Sequence, residues 1–273
     1  MNELIIEAEK SERLYWRDIW KFRELFYFLA WRDLLVRYKQ TAVGVAWALI
    51  RPFLTMLVLT VVFGKFARMP APAGTPYAIL VFCGMLPWLF FSAAIAESGN
   101  SLVANSNLIS KVYFPRLVVP VSSVIVSLVD FLISMGFLGF LLLWYGVVPS
   151  TNIVYLPLFC VLAFTASLGV GLWIAALMVQ YRDFRFIVPF LVQFGLYISP
   201  VGFVSSVVPD NFRLLYSLNP IAGIIDGFRW SILGNEHPIY WPGMMLSIIC
   251  AAGLLFTGVR YFRSTERTFA DVI

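Results

Sequence analysis

Residues 117–145 read LVVPVSSVIVSLVDFLISMGFLGFLLLWY, a run whose only charged side chain is Asp130. A bilayer core about 30 Å thick requires roughly 20 apolar residues for each helix that crosses it. This run is long enough and apolar enough to meet that requirement. It therefore predicts a transmembrane helix, and similar runs recur along the chain.

The composition agrees with this interpretation. The sequence is 60% hydrophobic and only 13% charged, whereas soluble domains carry about 25% charged residues. One soluble core cannot hide so much apolar surface, so the excess must face lipid. The net charge of +5 does not indicate a nucleic-acid partner, because the basic residues flank the apolar runs and form no solvent-facing patch.

The hydropathy pattern predicts an all-α integral membrane protein with six transmembrane helices. An N-terminal stretch, 22–39, mixes aromatic and basic residues and predicts a helix lying at the headgroup level. The segment 205–240 is apolar but broken by Pro and Gly, which predicts short re-entrant or outer-face helices between spans five and six. The six predicted spans are 43–66, 77–96, 117–145, 154–179, 186–204 and 241–262.

Lysine and arginine counts predict the orientation. With the N-terminus inside, fifteen of the twenty basic residues lie on the cytoplasmic side and four outside, and Arg51 falls within the first span. Because cytoplasmic loops carry the excess of positive charge, both termini are expected in the cytoplasm. The predicted organisation is one permease domain, 1–273, with a cytoplasmic N-terminal region (1–42), a membrane region (43–262) and a cytoplasmic tail (263–273).

The sequence offers no metal, nucleotide or catalytic site. Its three cysteines are isolated within apolar runs, and no CxxC pair is present. No GxxxxGK[ST] phosphate loop occurs, so the chain supplies no nucleotide site of its own. The single histidine, His237, is interpreted as a surface residue of an outer loop. We expect no bound cofactor and no enzymatic activity in this chain.

Five short motifs, distributed over nearly the whole chain, occur in a characteristic order. They are Arg37-Tyr38-Lys39-Gln40-Thr41 with Gly44, Trp47 and Pro52; Gly84-Met85-Leu86-Pro87-Trp88 with Phe90 and Phe91; Asn105 to Arg116; Tyr181-Arg182-Asp183 followed by Ser199-Pro200-Val201; and Leu218-Asn219-Pro220 with Arg229. Together they resemble the membrane subunit of ATP-binding-cassette (ABC) exporters for O-antigen, capsule or teichoic-acid polysaccharides.

The resemblance implies a function and a set of partners. Such exporters pair two membrane subunits, here two copies of this chain, with two ATPase subunits that bind ATP and Mg. They move a lipid-linked glycan, such as an undecaprenyl-linked one, across the bacterial cytoplasmic membrane. The resemblance also implies ATPase contact through the N-terminal helix and the connector after span two; an ordinary solvated loop is the alternative for that connector. The implied coupling residues are Asn107, Lys111, Tyr113, Phe114, Arg116, Arg37, Arg182 and Asp183.

Aromatic and charged residues within the spans are candidates for the substrate pathway. Sugar C–H faces pack on aromatic rings, although membrane belts use the same residues. Arg51 could meet the pyrophosphate of a lipid-linked substrate or extend toward the headgroups. The pathway candidates are Trp47, Arg51, Trp88, Phe91, Phe194 and Tyr197.

Asp130 leaves a second function class open. A carboxyl group in mid-span could carry protons in a secondary transporter, or it could be neutral or paired across helices; we favour a structural role. A permease for a smaller lipid or a drug is a further alternative. Gly136, Gly139, Gly169 and Gly171 are expected to let helices approach each other closely.

Overall fold

The computed structural model describes residues 12–39, 46–70, 75–234 and 237–269. Within these ranges the chain forms helices joined by short connections, and no β-strand occurs. The predicted all-α class is therefore confirmed. Gln40, Thr41 and Gly44 of the first motif lie outside the described residues, as do the first residues of span one and the end of the C-terminal tail.

Eleven α-helices are described, three of them extended by other helical turns, including the 3₁₀ turn Glu266–Thr268 that follows the last helix. The seven-residue π-helix Thr60–Phe66 continues α3, and the 3₁₀ turn Thr151–Tyr155 leads into α7. The helices are α1 (Glu12–Lys21), α2 (Arg23–Lys39), α3 (Ala46–Leu59), α4 (Tyr77–Ala104), α5 (Ser106–Lys111), α6 (Val118–Trp144), α7 (Leu156–Gln180), α8 (Phe184–Ile198), α9 (Asp210–Tyr216), α10 (Pro220–Leu233) and α11 (Trp241–Thr265).

Among the described residues, five helical stretches are long and apolar enough to cross a membrane. They correspond to the predicted spans one, two, three, four and six, and they are Ala46–Phe66, Tyr77–Ala104, Val118–Trp144, Thr151–Gln180 and Trp241–Thr268. The second is longer than predicted, since its helix continues to Ala104. The predicted fifth span corresponds to α8, which has only 15 residues and ends before Ser199-Pro200, because the residue before a proline disfavours the helical conformation.

α4 is the central helix of the bundle. Most of its side chains are buried, among them Ile79, Phe82 and Met85, and it packs against α3, α6, α7, α8 and α10. Apolar residues occur on every side of this helix because apolar neighbours surround it, as expected for a helix that is buried all round. The other spanning helices are each exposed along one face.

α7 and α11 pack closely through glycine. A Cβ atom added at Gly169 would lie 2.5 Å from the backbone N of Leu255, and one at Gly258 would lie 2.5 Å from the carbonyl O of Gly169. Gly171 likewise faces Ser98 on α4 at 3.0 Å. The predicted packing role of Gly169 and Gly171 is thus confirmed, whereas Gly136 and Gly139 have no described atom within 4 Å of an added Cβ.

This contrast gives a matched test of helix packing. Gly169→Ala should lower the thermal unfolding temperature in detergent, because a backbone contact cannot yield and overpacking costs about 1–3 kcal/mol. Gly136→Ala should leave stability unchanged or raise it slightly, since alanine favours helix over glycine by up to about 1 kcal/mol. Equal unfolding temperatures for the two variants would contradict the described approach of α7 and α11.

Candidate functional site

A fully buried arginine holds together the half of the bundle that contains α10. Arg229 of α10 is 1% exposed. Its guanidinium donates hydrogen bonds from Nε to the carbonyl O of Leu80 (3.2 Å), from Nη1 to that of Phe203 (2.8 Å) and from Nη2 to that of Val201 (2.8 Å). Asp226, one turn earlier on α10, supplies the nearby negative charge.

Two of these acceptors belong to the irregular segment that follows α8. Residues 199–204 are not helical, so their carbonyl groups lack helical partners, and unpaired buried carbonyls are costly in an apolar environment. The rigid, forked guanidinium has enough donors to bond several of them together. Arg229 therefore joins three parts of the chain: α4, the segment after α8, and α10.

Gly84 provides the space that Arg229 occupies. A Cβ atom at position 84 would lie 2.5 Å from Nη2 and 2.9 Å from Cζ of the arginine. The second and fifth motifs of the sequence therefore meet at one contact, which the sequence analysis did not foresee. The count of basic residues assigned Arg229 only to the outer side of the membrane and did not predict that its side chain is buried. Its place in the apolar segment 220–233 was the available signal.

Neighbouring contacts hold the same segment on both sides. The Tyr77 hydroxyl, at the start of α4, donates a hydrogen bond to the carbonyl O of Gly202. Asn219, which caps α10, also donates from its side chain to the Ser199 hydroxyl at 3.0 Å. Polar side chains from α4 and from the start of α10 thus fix the segment after α8.

The interpretation of His237 as a surface residue was wrong. The side chain is 9% exposed, and its Nε2 atom has no described hydrogen-bond partner. Burial lowers the pKa of His237 to about 4, so the imidazole is neutral near pH 7. His237 is therefore a buried, neutral residue of the segment before α11.

On the other half of the bundle, polar side chains tie α2 to two spanning helices. Arg37 of α2 donates hydrogen bonds to Asp130 of α6 and to Glu97 of α4, and the Tyr38 hydroxyl donates to the second carboxylate oxygen of Asp130. Arg32, earlier on α2, bonds the side chain of Asn105 at 2.8 Å. Asp130 is thus paired across helices, as the favoured structural interpretation expected, and Arg37 contacts helices of its own chain.

The predicted coupling residues fall into two groups. Asn107, Lys111, Tyr113, Arg182 and Asp183 are exposed, on α5, the residues that follow it, and the turn between α7 and α8. By contrast, Phe114 is 4% exposed and packs in a core with Leu29, Leu102 and Ile109. Tyr113 and Phe114 were both expected to contact the ATPase, but only the Tyr113 side chain is exposed, at 55%.

Arg116 contributes to a second internal tie. Its guanidinium donates to the carbonyl O of Glu266, and the Glu266 carboxylate accepts a hydrogen bond from the Tyr15 hydroxyl at 2.9 Å. The Arg263 guanidinium lies over the Tyr15 ring, 4.5 Å from its centroid. These contacts join α1, the connector after α5 and the end of α11 in one region.

The pathway candidates are also divided. On α3, Trp47 is 47% exposed, and the Arg51 guanidinium lies 5.9 Å from its ring centroid. Phe194 and Tyr197 are exposed on α8. Trp88 and Phe91 lie instead against each other, 5.9 Å between centroids, and the Trp88 ring reaches to 2.5 Å from a Cβ position at Gly195, so it fastens α8 to α4.

Comparison with known families decides what kind of membrane protein this is. A family model described as "ABC-2 type transporter" matches residues 24–233. That region contains α2 to α10, including both Arg37 and Arg229. The chain belongs to the ABC-2 type transporter membrane family. It is a multi-pass membrane protein of a transporter family whose members work with an ATP-binding subunit.

Several curated ABC-2 relatives are similar over most of this chain. An O-antigen export system permease protein, RfbA of Myxococcus xanthus, is 28% identical over 259 residues, which is 94% of this chain and 98% of the relative. An RfbA of Klebsiella pneumoniae is 27% identical over 249 residues, covering 89% and 92%. The polysialic acid transport protein KpsM of Escherichia coli is 24% identical over 242 residues, covering 86% and 91%.

The Arg229 contacts predict a large loss of stability on substitution. Arg229→Met should lower the unfolding temperature strongly, because each buried carbonyl left without a donor costs about 1–3 kcal/mol. Arg229→Lys should recover part of the loss, since the ammonium group keeps three N–H donors but holds them on one nitrogen, whereas arginine reaches the three acceptors with three separate nitrogens. The measurement is thermal unfolding in detergent, with Arg260→Met as control; Arg260 is exposed and lies over the Phe256 ring. An Arg229→Met protein as stable as this control would contradict the anchor.

The Asp130 contacts predict a charge-pair effect rather than proton coupling. Asp130→Leu should destabilise the protein by about 1–3 kcal/mol, because it removes one of the two carboxylates that Arg37 contacts and the acceptor of the Tyr38 hydroxyl. The double exchange Arg37→Asp with Asp130→Arg should restore part of that stability. Asp210→Leu is the control, since the Asp210 side chain is 95% exposed. Full stability of Asp130→Leu, with loss only of proton-driven transport, would favour the secondary transporter instead.

Proposed function

We propose that this chain is the transmembrane subunit of an ATP-driven exporter that moves a lipid-linked polysaccharide across the bacterial cytoplasmic membrane. The observation that carries the proposal is the similarity to relatives named for O-antigen and polysialic acid transport, which extends over at least 86% of the chain. The substrate class is O-antigen, capsule or teichoic-acid glycan on a lipid carrier. Within these 273 residues no phosphate loop occurs, so a separate ATPase has to supply ATP and Mg binding.

The proposed assembly contains two copies of this chain and two ATPase subunits. Each copy crosses the membrane six times. The fifth crossing consists of α8, about 22 Å long at 1.5 Å per residue, completed by the irregular segment 199–204. α9 and α10 then form the re-entrant pair on the outer face, and both termini lie in the cytoplasm. The wholly buried contacts of Arg229 support this arrangement, because irregular backbone at membrane depth needs such internal partners.

The proposed ATPase contact surface consists of α5, the residues after it, and the turn between α7 and α8. Its exposed side chains include Asn107, Lys111, Tyr113, Arg182 and Asp183. Phe114, Arg116 and Arg37 lie behind this surface and connect it to the rest of the chain. Phe114 anchors the connector in the core shared with α2, Arg116 reaches the end of α11, and Arg37 reaches α4 and α6. A displacement of the surface by the ATPase would therefore be transmitted to three spanning helices.

The proposed substrate pathway runs along the exposed faces of α3 and α8. Trp47, Arg51, Phe194 and Tyr197 present aromatic and cationic groups there, which suit sugar C–H faces and lipid phosphates respectively. Trp88 and Phe91 keep α8 in place against α4 and contribute no open surface. The single domain 1–273 thus places its pathway on one side of the central helix.

Co-purification with the ATPase encoded beside this chain tests the function. The complex should form, and Tyr113→Ala should weaken it about tenfold or more and lower coupled ATP hydrolysis, as truncating a central interface aromatic usually does. The Tyr113→Ala subunit alone should unfold at the wild-type temperature, because its ring is exposed. Trp144→Ala is the matched control, an aromatic residue that is 75% exposed at the far end of α6.

Phe114→Ala distinguishes contact with the ATPase from packing within the subunit. It should destabilise the subunit itself by about 3–5 kcal/mol, the usual cost of truncating a buried phenylalanine. Failure of any ATPase to bind the wild-type chain would overturn the exporter proposal. Transport of a drug or a simple lipid by the intact complex, without export of glycan, would favour the smaller-substrate alternative.

A further inference from the structure

A cavity of about 480 Å³ opens where α4, α5, α7 and α8 meet. Two arginines, Arg182 and Arg185, contribute to its lining from the turn between α7 and α8. Asn100 and Ser106 line it from α4 and α5. The rest of the lining is apolar and includes Met178 and Phe186. The cavity therefore combines two cationic groups, polar hydrogen-bonding groups and an apolar surface.

The two arginines are not neutralised within the described part of the chain. No ion pair is recorded for either guanidinium there, whereas Arg37, Arg32 and Arg213 each pair with a carboxylate. Asp183 lies between them in sequence, but it is exposed and does not line the cavity. Two guanidinium groups at one cavity favour a phosphate or pyrophosphate, whose oxygens accept several charge-assisted hydrogen bonds.

An apolar stripe leads away from this cationic cavity along α8. Phe186, Phe190 and Phe194 are four residues apart and so lie on one face of the helix. They are 79%, 63% and 53% exposed, and the rings of Phe190 and Phe194 are stacked with centroids 5.8 Å apart. The stripe covers about 12 Å of helix. It offers nothing to a free anion, but it matches a long hydrocarbon chain attached to one.

We propose that the cavity and the α8 stripe together bind one membrane-borne polyprenyl phosphate or pyrophosphate. Arg182 and Arg185 hold the charged head, and the chain lies along Phe186, Phe190 and Phe194. The inference rests on the proposed function, because it locates the lipid carrier of the glycan. An acidic segment of the ATPase is the less favoured occupant, since the apolar stripe would be left without a partner. The proposal assigns Arg182 to the lipid instead of to ATPase contact.

Lipid binding to the purified complex of this chain with its ATPase tests the proposal directly. The probes are undecaprenyl phosphate, the uncharged undecaprenol, and inorganic pyrophosphate, and native mass spectrometry counts the bound lipid. Wild type should retain undecaprenyl phosphate and bind undecaprenol at least about tenfold more weakly, since the charged head supplies the stronger hydrogen bonds. Arg182→Gln with Arg185→Gln should weaken undecaprenyl phosphate binding about tenfold or more and leave undecaprenol unchanged.

Matched variants separate the head from the chain. Arg260→Gln removes one exposed positive charge from α11, away from the cavity, and should leave binding unchanged. Phe190→Ala with Phe194→Ala should weaken undecaprenyl phosphate binding several-fold, through lost apolar contact, yet leave a short-chain isoprenoid phosphate unaffected. All substituted side chains are exposed, and recovery of the complex and its unfolding temperature confirm that each variant folds.

Four outcomes would overturn the inference. The first is equal binding of undecaprenyl phosphate by wild type and the double Gln variant, and the second is equal binding of undecaprenol and undecaprenyl phosphate by wild type. The third is competition by inorganic pyrophosphate at concentrations similar to those of the lipid. The fourth is that the double Gln variant loses the ATPase but still binds the lipid. The third would indicate a simple anion site, and the last a protein contact. None of them depends on glycan transport, so failure of the lipid site is distinguishable from failure of the proposed function.

Discussion

The hydrogen bonds of the Arg229 guanidinium are the constraint on which the half of this protein that contains α9 and α10 depends. An apolar environment offers no water to carbonyl groups that leave a helix, so the carbonyl groups of the segment after α8 need another group to bond them. Arg229 bonds two carbonyls of that segment and one of α4. A single buried cation thereby keeps a short helix, its irregular continuation and the α9–α10 pair attached to the central helix. Gly84 is small because the arginine occupies the space beside it.

The other half of the bundle, around α2, depends on a different kind of contact. Arg37 and Tyr38 converge on Asp130, Arg37 also reaches Glu97, and Arg32 reaches Asn105. These contacts attach α2, an aromatic and basic helix, to α4 and α6 through charge as well as through the apolar core around Leu29. Such partly exposed ion pairs can exchange partners more readily than a sealed network can. The half around Arg229 is therefore held by buried hydrogen bonds and the half around α2 by partly exposed ion pairs, which suits the proposed exporter.

The proposed lipid site joins these two halves through α8. Its cationic end lies at the α7–α8 turn, beside the proposed ATPase surface, and its aromatic stripe runs toward the segment that Arg229 holds. A carrier lipid bound there would contact both the helix whose end is fixed and the turn that the ATPase would displace. The fastening of α8 to α4 by Trp88 at Gly195 gives this helix a defined resting position. Binding of the lipid and movement of the turn would thus be coupled through one short helix.

The sequence alone determined the class of protein, because the length and apolarity of its runs are local properties that a bilayer requires. It predicted the all-α class, five long candidate spans, the helix over residues 23–39 and the packing role of Gly169 and Gly171. The ordered motifs likewise indicated the family. Tertiary structure decided the rest. The sequence placed His237 on the surface, the family resemblance placed Phe114 in contact with the ATPase, and neither could show that Arg37 pairs with Asp130, 93 positions away. Burial and pairing depend on which helices become neighbours, and that is settled by the joint packing of the whole bundle, which no local pattern contains.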